Sequence, residues 1–171
     1  MKNIVLVGFM GAGKSVVGKN LATFLKREYI STDDLIETKE RKRITEIFKI
    51  SGEPYFRSVE RNMVAEVSVR ENLVIDCGGG VVLNSMNINN LKKNGIVFYL
   101  SATPEVIYTR VKDQKHRPLL NVDHPKLKIK ELLEQRKVFY EKADHTIDTS
   151  AKTPNAVAQE ILDLYSTHER T

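Results

Sequence analysis

The chain is poor in cysteine, has no tryptophan and contains no long hydrophobic run. One cysteine, Cys77, among 171 residues excludes an internal disulfide framework and is typical of a reducing compartment. No apolar stretch approaches the roughly 20 residues that cross a bilayer, and no signal-peptide cleavage site follows the first apolar run. We therefore expect a cytoplasmic protein that has no membrane partner.

The positive charge is not arranged as in a nucleic-acid-binding protein. The formal net charge is +5, but Lys and Arg are mixed with Glu and Asp instead of forming a basic stripe with interleaved aromatic residues. Solvated helix faces explain most of these charges, and the rest can serve small polyanionic ligands. The four histidines lack the spacing of metal ligands. We expect no nucleic-acid partner and assign the histidines no role.

The chain does contain a regular alternation of apolar runs and amphipathic segments. A content of 41% hydrophobic and 29% charged residues is ordinary for a globular protein, and we expect residues 1–171 to form one domain. Apolar runs predict strands at 4–7, 29–32, 73–76, 96–100 and 145–148. Because helical segments separate them, the pattern favours an α/β fold with three layers, α/β/α, around a five-stranded parallel sheet.

Residues 8–15, GFMGAGKS, match the phosphate-binding pattern G-x-x-x-x-G-K-[ST] in full. The segment follows a predicted strand and opens a predicted helix, as this pattern requires. Lys14 is expected to reach the β- and γ-phosphates of ATP, and the Ser15 hydroxyl to ligate Mg²⁺. The alternative is a structural glycine-rich turn. The residues expected to contact the nucleotide are Gly11, Ala12, Gly13, Lys14, Ser15 and Val16.

Two further segments lie beyond predicted strands, where parallel sheets bind their ligands. Asp33 follows the second strand, and three glycines at 78–80 follow the third. A guanine-selecting N-K-x-D segment is missing, which disfavours a GTPase. The polar segment 112–123 is typical of the lid that excludes water from the active site of a small-molecule kinase. The patterns together predict a P-loop kinase.

Several short segments along the chain occur together in a known family. They are residues 8–15, Thr32-Asp33, EPYFR at 53–57 with Glu60, CGGG at 77–80, RPLL at 117–120 and Arg136. Through them the chain resembles the shikimate kinase family over essentially its whole length. This resemblance implies transfer of the ATP γ-phosphate to the 3-hydroxyl of shikimate, giving shikimate 3-phosphate and ADP in aromatic amino-acid biosynthesis. It also implies an acceptor-binding flap at 33–60 and a lid at 112–123.

The resemblance assigns the acceptor to residues that suit a hydroxylated carboxylate. Arg57 and Arg136 match the family's carboxylate-binding arginines, and a planar guanidinium suits a carboxylate. Glu60 lies one helical turn beyond Arg57 and can hold it. Asp33 matches the acid that orients or deprotonates the attacking hydroxyl and reaches Mg²⁺ through water. Gly79, flanked by Gly78 and Gly80, matches the glycine whose N–H contacts the substrate.

The resemblance also assigns the residues that bind the nucleotide. Arg117 in the lid matches the arginine that offsets charge on the transferred phosphoryl group. Arg110 matches an adenine-stacking arginine, and Thr153-Pro154 match the adenine loop.

Each of these residues also has a structural alternative. Arg57, Arg117 and Arg136 could be ordinary surface arginines, Asp33 could serve as a helix N-cap, and the glycines could form a tight turn.

One position departs from the family pattern. The family has Asp-x-Asp after the second strand, whereas this chain has Ser31-Thr32-Asp33. Asp76, at the end of the third predicted strand, is a candidate to replace the missing acid and to hold Mg²⁺ through water. The alternative is that Asp76 only accepts hydrogen bonds from the phosphate-loop backbone.

Three rival functions remain at this point. A kinase for gluconate or a nucleotide could use the same arginines for its acceptor, and an inactive relative could serve as a binding module, for which Ser31 is the supporting feature. A nucleic-acid-binding role for the positive charge is the third. We expect a monomer whose cofactors are ATP and Mg²⁺ and whose partner is the small-molecule acceptor.

Overall fold

Five parallel strands form the centre of the protein. The computed structural model describes residues 1–113 and 122–169. The strand order is β2-β3-β1-β4-β5, and every neighbouring pair is parallel. The predicted five-stranded parallel sheet is therefore confirmed. The strands are β1 (Asn3–Val7), β2 (Glu28–Ser31), β3 (Leu73–Asp76), β4 (Gly95–Ser101) and β5 (His145–Asp148).

Helices follow the strands in alternation along the described part of the chain. A short 3₁₀ turn, Val81–Leu83, also lies between β3 and the next helix. No helix within residues 1–113 and 122–169 has the length and hydropathy needed to span a membrane. The helices are α1 (Lys14–Leu25), α2 (Thr32–Glu40), α3 (Ile44–Ser68), α4 (Ser85–Asn94), α5 (Pro104–Val111), α6 (Pro125–Tyr140) and α7 (Pro154–Glu169).

The two faces of the sheet bury alternate residues of the same strand. On β1, Ile4 and Leu6 pack in one cluster with residues of α1 and α7, while Val5 and Val7 pack in another with residues of α2, α3 and α4. Because successive side chains of a strand point to opposite faces, a continuous apolar run needs helices on both sides. The predicted three-layer α/β/α arrangement is confirmed.

The long helix α3 is interrupted in its first half. Gly52, inside α3, has φ 80° and ψ 170°, a left-handed backbone conformation that glycine tolerates best. Pro54 then stands in the first turn of the resumed helix, where its missing N–H costs no intrahelical bond. The break lies within the predicted acceptor-binding flap.

A third apolar cluster flanks the predicted lid. Phe9 of the phosphate loop packs with Ile107 and Val111 of α5 and with Ile129 of α6. The predicted lid at 112–123 connects these two helices, and most of it lies outside the described residues.

Candidate active site

The phosphate loop lies between β1 and α1, at the carboxyl edge of the sheet. Gly11 (φ 74°) and Gly13 (φ 100°) have left-handed backbones, which favour glycine. Gly13 is the N-cap of α1 and brings no capping side chain. The first N–H groups of α1 are therefore available to an anion, as helix N-termini generally are.

Lys14 and its neighbours occupy the predicted positions around this loop. The Lys14 ammonium donates to the carbonyl oxygens of Gly8 at 2.9 Å and Phe9 at 3.1 Å, so that it lies over the loop. Ala12 is buried and offers a ligand only its backbone, whereas Val16 is exposed on the first turn of α1.

Ser15 and Asp76 meet on the other side of the loop. The Ser15 hydroxyl donates to Oδ2 of Asp76 at 2.6 Å, which leaves the lone pairs of its oxygen available to a cation. Mg²⁺ in kinases is held by few protein oxygens together with phosphates and waters, so this donor pair fits the ion. No cluster of three or more His, Cys, Asp or Glu side chains suited to a metal occurs within the described residues. Within the described residues, the Asp76 carboxylate accepts hydrogen bonds from hydroxyl groups and from no backbone N–H group of the phosphate loop.

Tyr29 is a residue of this site that the sequence patterns did not identify. Its hydroxyl donates to Oδ2 of Asp76 at 2.8 Å. Burial, together with the Asp76 charge, raises the pKa of Tyr29 far above its ordinary range, so the phenol remains a donor at neutral pH. A tyrosine in a short strand has no spacing motif that could have predicted this contact.

Ser31 caps α2, which corrects the alternative considered for Asp33. The Ser31 hydroxyl accepts from the backbone N–H of Asp34 at 3.2 Å, and Asp33 lies inside the first turn. The capping role therefore belongs to Ser31, and the Asp33 side chain is not used for it. Asp34 is exposed.

The Asp33 carboxylate lies against the glycine segment. A Cβ atom added at Gly78 would be 2.5 Å from Oδ1 of Asp33. Burial raises the pKa of Asp33, the positive charge of Lys14 opposes that rise, and the charge of Asp76 adds to it. A half-buried carboxylate of raised pKa beside the phosphate loop can accept a proton from a substrate hydroxyl.

Arg57 is held by acids on its own helix and lies against the same glycine segment. Its Nη1 donates to Glu60 at 2.9 Å, and its Nη2 donates to Glu53 at 3.0 Å. A Cβ atom at Gly80 would be 2.5 Å from both Nη1 and Nη2. The predicted support of Arg57 by Glu60 is confirmed.

Glu60 is itself an unusual residue. It is 1% exposed, and burial raises the pKa of its carboxyl against the opposing charge of Arg57. Its Oε1 lacks a hydrogen-bond partner among the described residues. Arg57 therefore supplies most of the positive charge that stabilises the buried Glu60 carboxylate.

Arg136 reaches the glycine segment from α6. Its Nη1 donates to the Gly79 carbonyl at 3.4 Å, and its guanidinium lies 5.6 Å from the centroid of the Phe9 ring. The Tyr140 hydroxyl, one helical turn further on, donates to the same carbonyl at 2.6 Å. Burial raises the pKa of Tyr140 to about 12. These contacts turn the Gly79 carbonyl towards α6.

The three glycines form a turn, but not because of unusual backbone angles. Val81 N–H donates to the Gly78 carbonyl at 3.1 Å, and none of the three glycines has a positive φ. Gly78 and Gly80 are needed for space, since a Cβ would collide with Asp33 at one position and with Arg57 at the other. The segment thus brings the predicted acceptor residues together.

Arg110 and Thr149 both contact the phosphate loop, on the side where the nucleotide is expected. Arg110 donates to the carbonyl of Gly11 at 3.1 Å and to that of Thr149 at 2.9 Å. The buried Thr149 hydroxyl lies 3.0 Å from the Ala12 carbonyl oxygen. The sequence carried no signal for Thr149, because its partner Ala12 lies 137 positions earlier in the chain.

Two predicted nucleotide contacts are not brought to the phosphate loop, and one lies outside the described residues. Thr153 and Pro154 are exposed, and the Thr153 hydroxyl accepts from the Ala156 N–H at the start of α7. Within residues 1–113 and 122–169, no hydrogen bond joins this pair to the loop. Arg117 falls in the part of the chain that is not described.

Comparison with known proteins identifies close relatives. A protein family described as shikimate kinase matches residues 10–166. The shikimate kinase of Caldanaerobacter subterraneus subsp. tengcongensis is 50% identical over 165 residues, 96% of each chain. That of Thermoanaerobacter pseudethanolicus is 47% identical over 96% of each chain. A solved structure of shikimate kinase from Acinetobacter baumannii in complex with shikimate superposes with a TM-score of 0.94 at 39% identity, covering 100% of this chain and 96% of that one.

Proposed function

Because the chain belongs to the shikimate kinase family, we propose which of its residues bind the substrates and which act on the transferred phosphoryl group. The resemblance found in the sequence is confirmed, and the chain is an ATP-dependent kinase of shikimate. The reaction yields shikimate 3-phosphate and ADP. One observation carries the assignment of residues: Asp33, Arg57 and Arg136 converge on a single glycine segment beside the phosphate loop.

The acceptor carboxylate is bound by Arg57 and Arg136. Both guanidinium groups lie at the glycine segment, that of Arg57 against Gly80 and that of Arg136 at the Gly79 carbonyl, which supports a shared role for them. Two convergent cations of fixed geometry suit a carboxylate. The backbone N–H of Gly79, with Gly78 and Gly80 beside it, supplies a further contact to the acceptor.

Asp33 orients the attacking hydroxyl and takes its proton. The hydroxyl oxygen forms the new bond to the γ-phosphorus, and the bond from that phosphorus to the β-γ bridging oxygen breaks, so that ADP leaves. Phosphoryl transfer requires positioning and charge stabilisation more than covalent catalysis. Asp33 lies at Gly78, and a Cβ atom at the adjoining Gly79 would lie 3.5 Å from the Gly8 carbonyl oxygen of the phosphate loop, which supports an acceptor site next to the phosphates.

The phosphate loop stabilises the charge of the nucleotide. The N–H groups at Gly11, Ala12 and Gly13 and the ammonium of Lys14 bind the phosphates. Ser15 would hold Mg²⁺ directly, while Asp76 and Asp33 would hold it through water. Bound Mg²⁺ neutralises charge on the β- and γ-phosphate oxygens.

Four assignments at the nucleotide end remain predictions. Arg110 adjoins the loop and is proposed to stack on adenine. Arg117 is proposed to act on the transferred phosphoryl group, and Thr153 and Pro154 to border the adenine.

A cytoplasmic location and a monomeric state are likewise proposals. The buried thiol of Cys77 and the need for ATP suit a reducing interior, and sedimentation at micromolar concentration would establish the monomer.

A coupled ADP-release assay tests the proposal. Shikimate, quinate, gluconate and a panel of nucleoside monophosphates are offered as acceptors with ATP and Mg²⁺. We expect turnover with shikimate and little with the nucleoside monophosphates, because the two arginines and Asp33 match a hydroxylated carboxylate. Quinate and gluconate are also hydroxylated carboxylates, so they test whether the site selects the shikimate ring, and we expect less turnover with them. Turnover with another acceptor but none with shikimate would overturn the assignment. Turnover with none of the acceptors would favour the inactive relative.

A further inference from the structure

The carboxylate of Asp76 receives two hydroxyl donors on one oxygen. Ser15 donates to Oδ2 at 2.6 Å and Tyr29 at 2.8 Å. Within the described residues, the hydrogen bonds to this carboxylate all reach Oδ2. Asp76 is 6% exposed, so its side chain has little freedom beyond these two bonds. The second oxygen, Oδ1, is thereby left for a further ligand.

The geometry of β2 explains why Tyr29 reaches Asp76. Ser31 faces Asp76 in the register between β2 and β3, and Tyr29 faces Val74. Tyr29 and Ser31, two residues apart, point to the same face of the sheet. That face packs against α1, because Val74 and Tyr29 belong to the cluster that contains the buried residues of this helix. The tyrosine ring therefore lies beneath the start of α1, next to Ser15.

Gly18 of α1 provides the space for this ring. A Cβ atom at Gly18 would be 2.8 Å from Cε2 of Tyr29. Glycine inside a helix costs roughly 0.5–1 kcal/mol relative to alanine, and here the missing side chain admits the tyrosine.

We propose, given the function assigned above, that Tyr29 is a positioning residue for the Mg²⁺ site. Its hydroxyl holds Oδ2 of Asp76 beside Ser15, in a position from which the carboxylate would bind the water shell of a cation held by Ser15. Residues that orient a metal-binding carboxylate through hydrogen bonds commonly affect metal affinity, although they do not touch the ion. Tyr29 acts through Asp76 and does not touch the phosphates.

The test measures Mg²⁺ affinity of the ADP complex, without turnover. Mn²⁺ binding to the protein with ADP, followed by electron paramagnetic resonance, and competition by Mg²⁺ report the cation site directly. Tyr29→Phe keeps the ring and removes only the hydroxyl. We expect the affinity for the cation to fall about five-fold, with ADP affinity in the absence of cation unchanged. This is less than the full contribution of a hydrogen bond to a charged group, because the hydroxyl acts on the cation only through Asp76.

A double-mutant cycle with Asp76→Asn separates positioning from a direct role. If Tyr29 acts through Asp76, Tyr29→Phe has little further effect on cation affinity in the Asp76→Asn background, since the two changes are then non-additive. An equal five-fold loss in both backgrounds, or unchanged affinity in the single variant, would overturn the inference.

Two further variants accompany this test, the first as a control and the second as an independent test of the ring position. Tyr165→Phe removes a tyrosine hydroxyl that donates to the Lys2 carbonyl at the opposite edge of the sheet, and it should leave cation affinity unchanged. Gly18→Ala keeps the Tyr29 hydroxyl but displaces its ring, and it should weaken cation binding as Tyr29→Phe does.

Phosphoryl transfer to shikimate is measured separately for the unaltered chain. If that transfer is seen while Tyr29→Phe binds the cation normally, the role of Tyr29 alone is refuted. If the transfer is absent, the assigned function fails, whatever the cation measurements give.

Discussion

Ser31 and Asp76 face each other in register across β2 and β3, at the carboxyl edge of the sheet. The family pattern places an acid at the first of these positions, and this chain carries it at the second. Ser31 instead caps α2 through the Asp34 N–H. The carboxylate thus remains beside Ser15 but comes from the neighbouring strand, which leads to the first prediction.

Asp76→Asn should lower kcat about 10- to 100-fold and raise the Mg²⁺ concentration needed for half-maximal activity, as expected when a residue that orients a metal site loses its charge. Adding Ser31→Asp should restore part of the loss, because the acid returns to the facing strand and aspartate remains a good N-cap. Steady-state kinetics across a Mg²⁺ titration measure both effects. Asp34→Asn, an exposed neighbour, is the control, and an Asp76→Asn enzyme of normal kcat and Mg²⁺ dependence would contradict the assignment.

Replacement of the two acceptor arginines should affect the stability of the protein differently, although both arginines are assigned the same function. Arg57→Ala and Arg136→Ala should each raise KM for shikimate at least 10-fold with a smaller effect on KM for ATP. Only Arg57→Ala should also lower the free energy of unfolding, by about 2 kcal/mol, because it leaves the buried Glu60 carboxylate uncompensated. Kinetics and urea unfolding measure the two effects. Arg61→Ala, exposed on the same helix, is the control. Equal KM effects on both substrates would refute the roles.

The free energy of unfolding should depend on pH because of the Glu60 carboxyl. Burial raises its pKa in the folded state, so its contribution to stability is fully present below the ordinary glutamate pKa and is lost as pH rises through the folded value. Arg57→Ala removes an opposing cation and should raise that pKa further. We expect its stability deficit to grow as the pH rises from the ordinary glutamate pKa through the raised pKa of the folded state, measured by urea unfolding. Adding Glu60→Gln should remove the pH-dependent part, and a deficit independent of pH would exclude this cause.

Asp33 should set the acidic limb of the pH–rate profile. Burial raises its pKa, and the carboxylate form is the one that accepts the proton. The limb of kcat/KM for shikimate should therefore lie above the ordinary aspartate range, with activity falling as pH decreases. Asp33→Asn should lower kcat about 10²- to 10⁴-fold, the range of general-base contributions. A limb at the ordinary aspartate pKa, or a nearly active Asp33→Asn enzyme, would contradict this role.

Gly78→Ala and Gly80→Ala should damage different kinetic parameters. The new methyl group at 78 would press on Asp33, and that at 80 on the guanidinium of Arg57. Misplacement of a catalytic group by about 1 Å can cost up to 100-fold, so we expect Gly78→Ala to lower kcat about 10-fold or more. Gly80→Ala should chiefly raise KM for shikimate. Thermal unfolding of both variants checks that the fold is kept, and an identical kinetic change in both would refute the distinction.

The strands and the phosphate loop were predictable because their signals are local. A continuous apolar run such as 4–7 indicates a strand that is buried on both faces, and the spacing in 8–15 is a property of consecutive residues. The carboxyl-edge positions of Asp33 and the 78–80 glycines were predictable because these residues directly follow predicted parallel strands. The roles of Arg57 and Arg136 came from the family resemblance, since an isolated arginine on a charged helix carries no such information.

The sequence by itself determined the parallel sheet, the nucleotide loop and the class of reaction, because each depends on short-range patterns of residue type. Only the tertiary structure decided that Ser31 is a cap, that Gly78 and Gly80 make room for Asp33 and Arg57, and that Tyr29 and Ser15 share Asp76. These are contacts between residues up to 61 positions apart. They depend on the register of β2 against β3 and on the packing of α1, which no local pattern encodes.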